Sequence, residues 1–343
     1  MAMFDRDFSA EKSLVREFHQ ALFAEPLAST KEVLSRYTSP QWKWRGMHPF
    51  NEKTGCDAVA EEFWVPLKQA FSRIQRRPDI FMAGCNEIDG FESVWVVSMG
   101  HLMGLFDNPW LGIRPTGRIV MMRYVEFNRV ENGKITESAM FFDIPQVMIQ
   151  AGQNPFPPQT GAHLIQPGPL THEGLMWSRQ NPEISQNTLN TINAMLTGMG
   201  KNKRTSKERL TYADELAESW HDDMLWWGPH GIGATYSIER YIKQHARPFG
   251  QSLNDGYRFN GHICRLAEGR FGGFFGWANL TVRNSGGYMG MPAGLTGADM
   301  RVVDIYREHE GKLAENWVFI DLLHFLNMQG LDVLQRNIEV NAI

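Results

Sequence analysis

The sequence predicts an α+β protein made of two tandem copies of one unit. The first observation is a repeat. Gly133-Lys134-Ile135-Thr136-Glu137 continues to Phe141-Phe142-Asp143 and closes at Gly152, and Gly311-Lys312-Leu313-Ala314-Glu315 continues to Phe319-Ile320-Asp321 and closes at Gly330. Residues 133 and 311, 143 and 321, and 152 and 330 all lie 178 apart, as do Arg123 and Arg301. One carboxylate after a strand means little, but the same carboxylate in the same context twice implies a duplicated domain. Further upstream, Trp44, Gly46 and His48 match Trp226, Gly228 and His230 at a spacing of 182, which Pro66 and Pro248 keep. The four-residue difference falls in the middle strands. The second observation is the order within each half. Helices come first and long strands follow, which segregates the helices to one side of a curved antiparallel sheet.

The elements follow in order. Apolar spacing at Leu14, Val15, Phe18, Ala21 and Leu22 predicts helix within 9–38. Trp42 and Trp44 alternate in a short strand ending at Gly46, and Val59, Phe63, Leu67, Ala70 and Phe71 predict a helix over 57–75. Strands are predicted at 79–88, 92–106 and 118–130. The turn Glu131-Asn132-Gly133 leads into a strand over 135–143, because Asn-Gly favours a tight hairpin. A short helix near 145–151 closes the unit. Six prolines between 153 and 185 mark a linker wrapped on the surface, since it keeps Phe156, Leu164, Ile165, Leu175 and Trp177. The second unit is predicted as helix 207–222, strand 224–227, helix 237–246, and strands 257–267, 271–283, 299–309 and 313–321. The expected domains are therefore 1–152, the linker 153–185, and 186–343. Two loops, Asp107 to Gly117 and the glycine-rich Asn284 to Gly297, are expected to lie over one end of each sheet as lids.

Composition excludes several classes. The 343 residues carry 34 basic and 38 acidic side chains, a net charge of −4 with no long run of either sign, so no nucleic-acid footprint is expected. The short cluster Lys201-Asn202-Lys203-Arg204 reads as a solvated loop. Cys56, Cys85 and Cys264 have no paired spacing, which points to neither a disulfide framework nor a zinc site. His221-Asp222-Asp223 looks ligand-like but ends a predicted helix without partners. No apolar run is long enough to span a bilayer and the N-terminus has no apolar signal core, so a cytoplasmic protein is expected. Aromatic residues, 12% of the chain, suit a core and an apolar pocket.

This pattern resembles the SnoaL-like polyketide cyclases, α+β cones of the nuclear transport factor 2-like superfamily. The resemblance rests on Glu315-Asn316-Trp317, Asp321 and Gln329-Gly330, similar to the family's closing motif, and covers nearly all of both halves. The first copy departs from the motif with Ala139 in place of Trp317, and with Pro145 two residues after its Asp. The resemblance implies that Asp143 and Asp321 are acid/bases of an intramolecular aldol closure. A carboxylate on the concave face of an apolar cone loses solvation and its pKa rises, which suits proton transfer with no cofactor and no metal. The alternative is that each Asp caps the following helix. Strand alternation puts Trp317, Phe319 and Asp321 on one face, and Ala139, Phe141 and Asp143 on the equivalent face. His48 and His230 are candidates for holding a substrate carbonyl or sharing protons with the Asp, against a role as turn residues bonded to backbone. His101 is a further candidate in the first unit, and His324, three residues after Asp321, lies on its helical side. Arg123 and Arg301 either form ion pairs or stabilise an enolate oxygen. Trp44, Trp226, Phe141, Phe319, Trp317 and His324 are expected to line the pocket. Two functions remain open: a cofactor-independent enzyme acting on an apolar aromatic or polyketide-like carbonyl compound, or a non-catalytic small-molecule binding or dimerisation module. Either way the halves are expected to pack as an internal pseudo-dimer, within a chain that can itself oligomerise, and the second pocket is expected to do more of the chemistry.

Overall fold

The structure, a computed structural model, describes residues 4–199, 211–253 and 255–341. The first repeat begins with helices α1 (Ser9–Ala24) and α2 (Thr30–Tyr37), then strands β1 (Thr38–Gly46) and β2 (Asn51–Thr54). Helix α3 (Cys56–Val59) runs through a π turn over Ala60–Trp64 into α4 (Val65–Ala70). Strands β3 (Phe71–Cys85), β4 (Val94–Phe106), β5 (Ile119–Glu131) and β6 (Lys134–Phe142) follow, and α5 (Ile144–Gln150) closes the unit. The second repeat has α6 (Pro182–Met199), α7 (Tyr212–Ser219), β7 (Trp220–Trp227), β8 (Ala234–Tyr236), α8 (Ser237–Tyr241), a π turn over Ile242–Ala246 and α9 (Arg247–Leu253). Its strands are β9 (Arg258–Phe259), β10 (Cys264–Glu268), β11 (Phe271–Phe275), β12 (Leu280–Arg283), β13 (Gly297–Met300), β14 (Val302–His309) and β15 (Lys312–Ile320). They are followed by α10 (Leu322–Asn327) and α11 (Val333–Asn341).

The two main sheets have one topology. The first runs β2-β1-β6-β5-β4-β3 and the second β8-β7-β15-β14-β11-β10. In each, a single neighbouring pair is parallel, β1 with β6 and β7 with β15, and the other pairs are antiparallel. The predicted duplication is thus present at the level of strand order.

Four expectations change. The helix expected over 57–75 ends at Ala70, and β3, expected at 79–88, begins at Phe71. Helix α6 lies where no helix was predicted; it is the counterpart of α1, and the proline-rich linker hid it. The predicted helix 207–222 is shorter, Tyr212–Ser219, and residues 207–210, like the Lys201–Arg204 cluster, lie outside the described residues. The long strands 257–267, 271–283 and 299–309 are each broken. Their outer ends form a separate sheet, β13-β12-β9, whereas the first repeat keeps its strands continuous.

The sheets pack face to face. The Phe275 ring sits 5.6 Å from Trp95, 4.9 Å from Phe127 and 6.3 Å from Phe141, so β11 of the second sheet interlocks with β4, β5 and β6 of the first. At one edge, the buried Lys12 ammonium donates 2.5 Å to Glu268, which also accepts from the Ala83 amide. Each sheet's other face curls around its helices to make a cone. In the first cone the space is filled with rings: Phe63 lies 4.9 Å from Trp44, 4.9 Å from Phe50 and 5.0 Å from Phe142.

Candidate functional site

The repeated aspartates lie between the two halves. Asp143 caps α5, its Oδ1 accepting from the Gln146 amide at 3.1 Å, and its Oδ2 accepts from the His230 amide of the other repeat at 2.8 Å. Asp321 does the same in mirror fashion. Its Oδ1 accepts from the His324 amide at 3.2 Å and its Oδ2 from the His48 amide at 2.9 Å. The four residues therefore form a reciprocal cross about the internal pseudo-twofold. The expected concave placement is corrected: residues 139, 141, 143 and 317, 319, 321 sit on the faces that meet, because the alternate residues, such as Phe142, fill the cone.

The arginines cross in the same way. Arg123 is buried and donates to the carbonyls of Gly228 (3.0 Å), Val318 (2.9 Å) and Trp227 (3.3 Å), with its guanidinium 4.0 Å from the Phe319 ring. Burial pushes its pKa down to about 10, while nearby Asp143 pulls it up. Arg301 donates to Asn51 at 2.8 Å and to Asp321 at 3.3 Å, over the Trp277 ring at 3.9 Å. Phe141 meets Phe275 and Trp277 at the same interface. Trp317 donates its indole N–H to the Pro167 carbonyl of the linker. His101 pairs in register with Arg123, and its Nδ1 lies 3.4 Å from Asp79, away from the cone. The His230 ring is held by Asn154 at 3.0 Å and stands 5.2 Å from His163, while His48 and His324 are half-buried. Burial lowers the pKa of His48, His230 and His324. Of the predicted residues only Trp44 and Trp226 face the cone interiors.

Inside the cones a different pair of carboxylates comes forward, Glu126 and Asp304, again 178 apart. Their strand positions agree, since Glu126 pairs with Ser98 and Met140 while Asp304 pairs with Phe274 and Val318. In the first cone Glu126 is locked. It accepts from His19 at 2.7 Å and from Arg76 at 2.7 Å, and Arg76 lies 4.5 Å over the Tyr124 ring. Burial raises the Glu126 pKa, but Arg76 and His19 overcome that and hold it at about 2.

The second cone has no such lock among the described residues. Asp304 makes no ion pair with any of them, and burial pushes its carboxyl up to about 6, against hydrogen bonds from Asn316 and Tyr306. Asn316 is itself buried and donates Nδ2 to Asp304 Oδ1 at 3.2 Å and to the Ile305 carbonyl at 3.2 Å. Aromatic rings line the wall. Trp226 stacks on His245 at 4.0 Å, His245 meets Phe249 at 5.8 Å, and His262 stacks on Phe274 at 3.9 Å. Burial holds the His245 and His262 pKa values at about 3, and raises those of Tyr241 and Tyr306 well above the usual phenol value, with Asp304 adding to both. At the spacing of 182, the wholly buried Val59, Phe63 and Leu67 correspond to Tyr241, His245 and Phe249, all partly exposed. The first cone is filled with buried rings, whereas the equivalent helix residues of the second are reached by solvent. Sequence reasoning missed Asp304. The signal that could have found it is a charged residue inside an apolar strand at the same place in both repeats.

The chain is similar to SnoaL-like polyketide cyclases. A candidate of that kind from Jannaschia sp. CCS1 is 20% identical over 44% of this chain and 95% of its own, with a TM-score of 0.35. IdmH, a candidate polyketide cyclase from Streptomyces antibioticus, is 14% identical over 42% of this chain and 99% of its own, with a TM-score of 0.33. An epoxide hydrolase-like protein of M. tuberculosis is 11% identical over 46% of this chain and 96% of its own, with a TM-score of 0.29. No family model and no curated protein matches the sequence. The chain itself shows two tandem units of one strand order, each a curved six-stranded sheet with helices. Among the described residues no helix is long and apolar enough to cross a membrane, and no group of three or more His, Cys, Asp or Glu is placed to hold a metal ion.

Proposed function

We propose that the second cone is the working site, in which Asp304 moves a proton on a small, uncharged, conjugated carbonyl compound. One observation carries this reading: Asp304 sits among aromatic rings with its pKa near 6 and no ion-pair partner among the described residues, while its counterpart Glu126 is locked by Arg76 and His19. A carboxyl with a pKa near 6 is mostly ionised at neutrality, takes a proton from carbon as the base and returns it as the acid. Asn316 and Tyr306 orient the carboxylate, and the neutral hydroxyl of Tyr241 is a donor for a developing enolate oxygen. Aldol closure, its reverse, isomerisation and dehydration all pass through that enolate. His245 and His262 are both neutral, so neither ring supplies a cation for an anionic substrate, which favours an uncharged one. In this reading Asp143 and Asp321, with His48 and His230, hold the halves together.

The test is deuterium uptake from heavy water at carbon next to the carbonyl, across a panel of aryl ketones. Wild type and Glu126→Gln should exchange, and Asp304→Asn should fall by roughly a hundredfold. Exchange that survives in Asp304→Asn defeats the assignment. Ligands that bind without exchanging in wild type favour the non-catalytic binding module instead.

A further inference from the structure

We infer that Tyr288 sets the size of ligand the second cone admits. This rests on the proposed pocket. The two lid loops are equivalent in detail: Trp110 bridges to Ile113 and Tyr288 to Met291, and both residues keep the 178 spacing. In the first cone Trp110 is the plug. It is buried and its ring lies 6.3 Å from Phe50, 5.7 Å from Phe71 and 6.5 Å from Phe142. In the second cone Tyr288 holds that place, 6.3 Å from Phe249 and 6.4 Å from Phe325. It thereby ends the ring wall that runs from Trp226 through His245 and Phe249.

The rings around Tyr288 are redistributed: Leu67 and Val147 give way to Phe249 and Phe325, the rings that Tyr288 meets, while other positions shrink. At the spacing of 182, Phe50, Phe63 and Trp64 are replaced by Ile232, His245 and Ala246, and at 178 Phe142 is replaced by Ile320. The lid is also held from behind. A Cβ on Gly290 would meet the Pro157 ring of the linker at 3.4 Å, and the equivalent Gly112 in the first lid sits against Ile338 of α11. Each repeat's trailing segment thus backs the other repeat's lid. With the lid seated on the linker, a larger ring at 288 enters the pocket, while a smaller one lengthens it.

The experiment is a fluorescence titration with 6-propionyl-2-dimethylaminonaphthalene, a neutral aryl ketone, alongside a homologous probe with a larger acyl group. Wild type should bind one small probe per chain. Tyr288→Trp should weaken that binding at least tenfold, and Tyr288→Leu should admit the larger probe with at least tenfold gain over wild type, both with wild-type thermal melts. If Tyr288→Trp misfolds, the size preference of Tyr288→Leu decides. Wild-type binding that both variants leave unchanged overturns the assignment alone. No binding by wild type overturns the pocket itself and the assignment with it.

Discussion

The carboxylate cross between the halves gives a prediction that separates structure from catalysis. Asp143 accepts two backbone N–H groups on two different oxygens, one from its own helix and one from His230. In Asp143→Asn the side chain keeps one acceptor oxygen and gains an NH2 in place of the other. It caps α5 as well as Asp does, but it then turns that NH2 towards the His230 N–H. The cross-repeat bond is lost and a buried donor is left unpaired. A hydrogen bond to a charged group contributes about 1.5–3 kcal/mol, so Asp143→Asn should cost about 2–3 kcal/mol. Asp321→Asn loses the His48 bond in the same way and should cost a similar amount. Urea unfolding followed by tryptophan fluorescence measures both, and the two midpoints should fall while deuterium exchange per folded molecule stays near wild type. Variants within about 0.5 kcal/mol of wild type, well under the cost of a lost buried bond, would refute the reasoning.

Other perturbations follow from the same geometry. Arg123→Met strips the donors from the carbonyls of Trp227, Gly228 and Val318, and should cost about 3–5 kcal/mol in the same unfolding assay. In the folded chain the His19 pKa falls from 6.5 to about 4 and that of Glu126 from 4.5 to about 2. The unfolded chain therefore takes up protons first. Stability from this cluster is full above pH 6.5 and is lost as pH falls towards 4 and then 2, so urea midpoints should drop on acidification, less steeply above pH 4 in His19→Gln. Asp304 has the opposite sign. Its folded pKa of about 6 exceeds the ordinary 3.8, so its ionisation works against folding increasingly from pH 3.8 to 6 and in full above that. Asp304→Asn should then raise stability at pH 8 by up to about 3 kcal/mol, a common cost of a functional site, and make little difference at pH 3.

The duplication was legible because a spacing of 178 needs no structure to be seen, and it carried the strand order with it. The working face was not. Period-two alternation says that Phe141 and Asp143 share a face, but β4, β5 and β6 are buried on both faces, so nothing local says which face is concave. Sequence reasoning therefore places the conspicuous Asp143 and Asp321 inside the cones, when they lie between them. Helix α6 had signals, with Asn181 accepting from the Glu183 amide, Pro182 opening the helix, and Leu189, Ile192 and Met195 at three-residue steps. The prolines before it obscured them. The strand breaks in the second repeat follow a rearrangement of three strand ends together, which no single segment records.

The most direct test is the titration of Asp304 itself. Carbon-13 chemical shifts of the aspartate carboxyls, followed from pH 3 to 8 with Asp304→Asn to assign the resonance, report its ionisation in the folded protein. The midpoint should lie near 6, unchanged in Glu126→Gln and moved by Asn316→Leu, which removes the amide that favours the carboxylate. A midpoint near the ordinary 3.8 would contradict this, because a carboxylate already ionised throughout that range has neither lost its solvation nor gained the acid form the proposed chemistry uses.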